Sequence, residues 1–144
     1  MVELLVKPAN GAVVHDITPQ SAGWEHVGFG LHDLAAGGVI DGSGDGNELC
    51  IVLLSGAVSV SAGDVDFGHI QGRGSVFDEV PAHAFYVPMQ TTWKVEATTA
   101  SEVAICRAPG IDGVHPPRHI TPDSMSLETR GSGANTRHVC NILP

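Results

Sequence analysis

Basic residues are scarce in this sequence. Its 144 residues include seven Lys and Arg against 16 Asp and Glu, which gives a formal net charge of −9. A negative field of this size repels polyanions. We therefore expect neither nucleic acid nor an anionic membrane surface as a partner.

The sequence also lacks long apolar runs. No segment approaches the roughly 20 apolar residues of a membrane helix, and residues 1–11 hold an apolar stretch too short for a signal peptide.

The three cysteines, Cys50, Cys106 and Cys140, form no C-x-x-C pair. Two of them lie in apolar runs, which is typical of buried thiols in a reducing compartment. We expect a cytoplasmic protein.

Helical periodicity is absent as well. No segment keeps apolar residues at spacings of three and four, aromatic residues make up only 5% of the chain, and 18 Gly and nine Pro interrupt it throughout. A chain of 144 residues with 42% hydrophobic content is long enough for one domain with a substantial core. The sequence therefore predicts a single all-β domain.

Two stretches have the pattern of strand, tight turn and strand. In residues 48–60 an apolar run ends at Ser55-Gly56 and alternating valine and serine follow; in residues 76–97 a strand ends at Pro88 and alternation resumes at Trp93. Each pattern predicts a β-hairpin. Two hairpins joined by a variable loop are typical of an antiparallel double sheet, so we predict a cupin-like jelly-roll barrel.

The rest of the chain is divided by composition. Residues 35–47 are rich in glycine and predict a flexible loop between strands. The amino-acid composition changes after Pro109-Gly110, where several prolines follow. We place the cupin-like barrel in residues 1–110, and a connector with a strand leading toward a second cupin in residues 111–144, within one domain overall.

A cupin metal centre needs two histidines one residue apart, a glutamate shortly after them and a third histidine on the second hairpin. The His-x-His positions fall in residues 42–45, which read Gly-Ser-Gly-Asp, so only Glu48 remains of the first three ligands. Trp93 occupies the third histidine position, and an indole cannot ligate a metal. We expect neither a metal nor another cofactor in this chain.

The remaining histidines and motifs indicate no catalytic site. The eight histidines are dispersed, and Pro116 and Pro117 prevent a helical pairing of His115 with His119. Neither a G-x-S-x-G elbow nor a phosphate-binding loop is present. We expect histidines that are exposed or hydrogen-bonded, and no catalytic residue.

Many short segments, in order along the whole chain, resemble one enzyme family. They are residues 5–8, 15–19, 22–24, 27–29, 50–56, 75–78, 86–88, 108–109, 116–118, 130–131 and 141–143. With them the chain resembles the amino-terminal half of the 5-deoxy-glucuronate isomerases, bicupin enzymes of inositol catabolism. The resemblance implies an aldose–ketose isomerase that turns 5-deoxy-glucuronate into 2-deoxy-5-keto-gluconate by proton transfer at a metal-bound sugar acid.

The same resemblance implies that the catalytic residues lie elsewhere. In the family the metal ligands belong to the second cupin, which would begin just after residues 141–144, so a divalent metal is expected there. No catalytic residue of the family carries over to this chain. We expect a non-catalytic half with a structural role, which forms a homodimer to cover the face meant for its partner cupin.

The alternative function is sugar-acid binding without turnover. Glu48, Tyr86 and Trp93 are expected at the barrel mouth, where aromatic faces and one polar group suit a sugar. An open cavity beside Trp93 would favour this binding module. An indole that fills the space would favour the structural role.

Overall fold

The computed structural model describes residues 5–111 and 115–142 of the chain. Within these two ranges the chain forms twelve β-strands, one helical turn and two single-turn 3-10 helices. The strands are β1 Val13–Ile17, β2 Gly28–Leu34, β3 Val39–Ser43, β4 Asn47–Ser55, β5 Ala57–Ala62, β6 Val65–Gln71, β7 His83–Val87, β8 Thr92–Ala97, β9 Ser101–Pro109, β10 Arg118–Ile120, β11 Ser126–Arg130 and β12 Arg137–Asn141. The helical turn α1 is Pro19–Ala22, and the 3-10 helices are Pro122–Ser124 and Gly133–Asn135.

Two antiparallel sheets face each other and form the barrel. The first has six strands in the order β1-β2-β9-β4-β7-β10, and the second has four in the order β3-β8-β5-β6. The side chains buried between them come from both sheets and include Ile51, Phe85 and Ile105 from the first and Val60 and Val95 from the second. The predicted all-β double sheet is confirmed.

The two predicted hairpins are wrong, although their strands are present. β4 lies in the six-stranded sheet and β5 in the four-stranded sheet, and β7 and β8 are divided in the same way. Each tight turn is therefore a corner at which the chain crosses from one sheet to the other. At the first corner Gly56 adopts a φ of +92°, in the region that favours glycine.

The glycine-rich segment is also more ordered than predicted. Residues 39–43 form β3, which pairs with β8 along its whole length and places Gly42 opposite Trp93. A Cβ added at Gly42 would lie 3.1 Å from the indole ring, so glycine permits the close approach of strand and ring. The composition indicated a loop because it did not reveal this packing partner.

A second apolar layer covers the outer face of the six-stranded sheet. On β4, Leu49, Ile51 and Leu53 point into the barrel, whereas the intervening Cys50 and Val52 point outward. Ile120 and Met125 pack on this outer face, and β10 pairs with β7. Residues 118–125 therefore extend the sheet and its outer layer.

No helix within the described ranges is long and apolar enough to cross a membrane.

Candidate functional site

Glu48 and Tyr86 meet on the outer face of the six-stranded sheet. The Tyr86 hydroxyl donates a hydrogen bond of 2.9 Å to Glu48 Oε2. Burial, with the hydrogen bond and negative charge of Glu48 adding to it, raises the pKa of Tyr86 above its ordinary value. The pair borders a cavity of about 390 Å³ whose apolar lining includes Trp24, Cys50 and Cys106.

Trp93 lies on the other side of that sheet, inside the barrel. Its side chain is 7% exposed and packs in the core between the two sheets. The structure therefore brings Glu48 and Tyr86 together but places Trp93 apart from both. The expected grouping of the three at one barrel mouth is wrong, because Glu48 has the outward parity of Cys50 on β4.

The positions of a cupin metal centre are occupied by residues that do not fit a metal. Gly42 and Trp93, which stand where two of the histidines would be, are partners in the register of β3 and β8. Glu48, the one expected ligand type, faces away from them toward Tyr86. Among residues 5–111 and 115–142, no group of three or more His, Cys, Asp or Glu side chains could hold a metal ion.

Arg107 and His32 occupy the inner mouth of the barrel. A Cβ added at Gly30 would lie 3.1 Å from His32 Nε2 and 3.7 Å from Arg107 Nη1, so both side chains converge over that glycine. Arg107 Nη1 is 3.5 Å from Asp16 Oδ1. Burial, followed by the positive charge of Arg107, lowers the pKa of His32, and Asp16 opposes this more weakly.

The sequence alone did not identify Arg107 and His32 as candidate site residues. Neither ring nitrogen of His32 has a hydrogen-bond partner within the described part of the chain although both are buried, so the expectation of an exposed or hydrogen-bonded histidine is wrong here. Arg107 is the penultimate inward-facing position of a long strand and belongs to no motif. The Gly28-x-Gly30 spacing on β2 is the signal that could have found them, because glycine in a strand often marks a close approach by another group.

A pair of histidines lies at the β7–β10 edge of the six-stranded sheet. His83 Nδ1 lies 3.0 Å from His119 Nε2, and the His119 ring stacks on Phe85 with centroids 4.6 Å apart. Burial lowers the pKa of both imidazoles; the charge of His83 lowers the pKa of His119 further, whereas Asp123 opposes the shift at His83. One neutral ring can donate a hydrogen bond to the other. This hydrogen bond and the stacking on Phe85 account for the pair as part of the packing of the core.

Comparison with known sequences identifies the relatives of this fold and site. The sequence model of the KduI/IolB family matches residues 4–144. A protein named 5-deoxy-glucuronate isomerase from Geobacillus kaustophilus is 42% identical over 128 residues, which cover 89% of this chain and 46% of that protein. The chain thus spans about half the length of the curated relatives it matches.

Comparison with solved structures gives the same result. The crystal structure of an IolB-like protein from Salmonella typhimurium superposes with a TM-score of 0.94 at 43% identity, over 99% of this chain and 54% of the other. A mutant of oxalate decarboxylase from Bacillus subtilis matches 66% of this chain and 24% of its own with a TM-score of 0.51 at 14% identity, which supports the cupin fold alone. The chain belongs to the KduI/IolB family.

Proposed function

We propose that this chain is the non-catalytic amino-terminal cupin of a 5-deoxy-glucuronate isomerase, and that its role there is structural. The proposal rests on the residues found at the positions of the cupin metal ligands. Gly42 and Trp93 replace two of the histidines there, and Glu48 points away from them. The match to about half of each relative's length supports a division of labour between two halves. The isomerase's divalent metal and its proton transfer then belong to the other half.

Activity measurements test this proposal directly. The purified chain is assayed for conversion of 5-deoxy-glucuronate beside the Geobacillus kaustophilus relative, with manganese, iron(II) or zinc added to each. We expect turnover by the relative and none by this chain with any of the metals. Metal-dependent turnover by this chain would show that a catalytic site exists in it.

The structural role is assigned to the outer face of the six-stranded sheet. Trp24 and Val27 border the 390 Å³ outer cavity and are 48% and 49% exposed, beside Phe29 and the exposed Cys106. Apolar surface of this kind is typical of interaction sites. In the full-length enzyme the second half would cover it, and in the isolated chain a second copy would take that place.

Light scattering coupled to gel filtration tests the homodimer. The wild-type chain should elute with the mass of two chains, and Trp24→Glu should shift it to the mass of one, because a charge would be buried at the contact. Phe77→Glu is the matched control, since Phe77 is 91% exposed but does not border the outer cavity. A wild-type mass of one chain at micromolar concentration would refute self-association.

A further inference from the structure

Two of the three cysteines lie directly opposite each other on neighbouring strands. Cys50 of β4 and Cys106 of β9 are register partners, and the pairing around them is regular from Asn47 to Leu53. Opposite residues of an antiparallel pair point to the same face and have Cα atoms about 4.5–5.5 Å apart. A disulfide needs a Cα separation of about 4.4–6.8 Å. The backbone therefore already holds the two cysteines within disulfide range.

The face that the two cysteines share is the outer face of the six-stranded sheet. They form the middle of a row that crosses four strands and consists of Phe29, Cys106, Cys50 and Tyr86. All four side chains line the outer cavity of about 390 Å³. Cys106 is exposed and Cys50 is partly buried. A small reagent in this cavity therefore meets Cys106 first and Cys50 beside it.

Both thiols are free, and their surroundings keep them protonated. Burial raises the pKa of Cys50 to about 11, with Cys106 adding to the shift, and burial also raises the pKa of Cys106. The other titratable or charged side chains around the cavity are Glu48, Tyr86 and Arg107. Because the thiolate is the form that attacks a disulfide, exchange at this pair is slow at neutral pH and faster at higher pH.

We propose that Cys50 and Cys106 form a reversible disulfide between β4 and β9, with glutathione disulfide as the oxidant. The Cys106 thiolate attacks one sulfur of the oxidant, which breaks the S–S bond and releases one glutathione thiolate. The Cys50 thiolate then attacks the Cys106 sulfur and releases the second. The two thiol protons end on the two glutathione molecules, so the protein loses two electrons and the oxidant gains them.

The sheet geometry makes this disulfide easy to reduce again. Opposite residues have Cβ atoms about 4.5–5.5 Å apart, whereas a relaxed disulfide has them about 3.5–4.5 Å apart. Closing the bond therefore strains the sheet locally, and a strained disulfide is more readily reduced. Both sulfurs belong to this chain, so the inference does not depend on the structural role proposed above.

Oxidation of the folded chain with glutathione disulfide at pH 8, followed by alkylation, proteolysis and mass spectrometry, tests the pairing. We expect a Cys50–Cys106 crosslink as the main product, alkylated Cys140, and recovery of both thiols with dithiothreitol. In urea the crosslink should shift toward Cys106–Cys140, because these two are closer in sequence and their loop closes at lower entropic cost. Glutathione that stays on Cys106 beside a free Cys50 would overturn the proposal, as would the same pairing with and without urea.

Variants and pH separate the steps of the reaction. Cys50→Ser should stop at the mixed disulfide between Cys106 and glutathione, whereas Cys140→Ser, the matched control, should form the crosslink as the wild type does. The rate of crosslinking should rise at least about tenfold from pH 7 to pH 9, because the thiolate fraction rises with pH. A crosslink that needs Cys140 would refute the assignment. If Cys50→Ser does not fold, the peptide map of the wild type and of Cys140→Ser decides the question.

The oligomeric state is controlled with Trp24→Glu, since a second copy on the outer face would cover both thiols. Crosslinking in the wild type or in this variant supports the disulfide. Crosslinking in the variant alone supports both the disulfide and the proposed contact between copies. Absence of the crosslink from both proteins would refute the disulfide and would leave the structural role standing.

Discussion

Replacement of Gly56 by alanine should strongly destabilise the fold, because this glycine forms the corner between the two sheets. Its φ of +92° imposes a strain of about 1–3 kcal/mol on any residue with a Cβ. The added Cβ would also lie 2.7 Å from Ser101 Cα and would collide with Ser101 Oγ and the Ala100 carbonyl oxygen. Either the backbone at residue 56 or the backbone of Ala100 and Ser101 has to shift to accommodate the Cβ.

The atoms in the way are part of a buried hydrogen-bond cluster. Ser101 is 2% exposed; its Oγ accepts from Ala57 N–H at 3.1 Å and lies 3.0 Å from the Ala57 carbonyl oxygen, to which it can donate. A buried group left without its partner costs about 1–3 kcal/mol. Strain and lost hydrogen bonds together predict a loss of about 2–6 kcal/mol for Gly56→Ala, or about 12 °C in Tm at the middle of that range and about 3 °C per kcal/mol.

Urea and thermal unfolding followed by circular dichroism measure the loss. Gly46→Ala is the matched control, because a Cβ there meets nothing within 4 Å and the glycine has no positive φ. We expect the control to stay within about 0.5 kcal/mol of the wild type, as surface substitutions usually do. Equal stability of the two variants would refute the corner geometry.

Two further predictions concern titratable groups. Because burial lowers the folded-state pKa of His83 and His119, the unfolded chain binds more protons below about pH 6.5, so the free energy of unfolding should fall as the pH drops from 7 toward 5. The double variant with glutamine at both positions should show a shallower fall, and an unchanged slope would contradict the linkage. Tyr86 is the single tyrosine of the chain, so ultraviolet absorbance should report its ionisation above pH 10 in wild type. Glu48→Gln should lower that midpoint, and a midpoint that stays in place would show that the carboxylate does not act on the phenol.

Much of the fold was predictable from alternation along the strands. The apolar runs and turns placed β4, β5, β7 and β8 correctly. Their assignment to sheets was not predictable, because a tight turn with glycine fits a hairpin and a corner between sheets equally well. The difference lies in long-range partners, such as β9 beside β4, which no local pattern specifies.

The candidate site shows the same limit. On β4 both faces are apolar, so the sequence did not reveal that Glu48 shares the outer face with Cys50 while Leu49 faces the core. Trp93 was recognised as a residue in place of a metal ligand, but the approach of Arg107 and His32, which come from β9 and β2, was not. Their meeting depends on the pairing of Gly28 with Arg107 across those strands.

We propose that this cupin lacks a metal centre and does not catalyse the isomerisation. The most direct test is the metal content of the purified chain, measured by mass spectrometry after incubation with manganese, iron(II) and zinc and then dialysis, with isomerase activity assayed on the same sample. We expect substoichiometric metal and no turnover. One metal ion per chain together with turnover of 5-deoxy-glucuronate would contradict it.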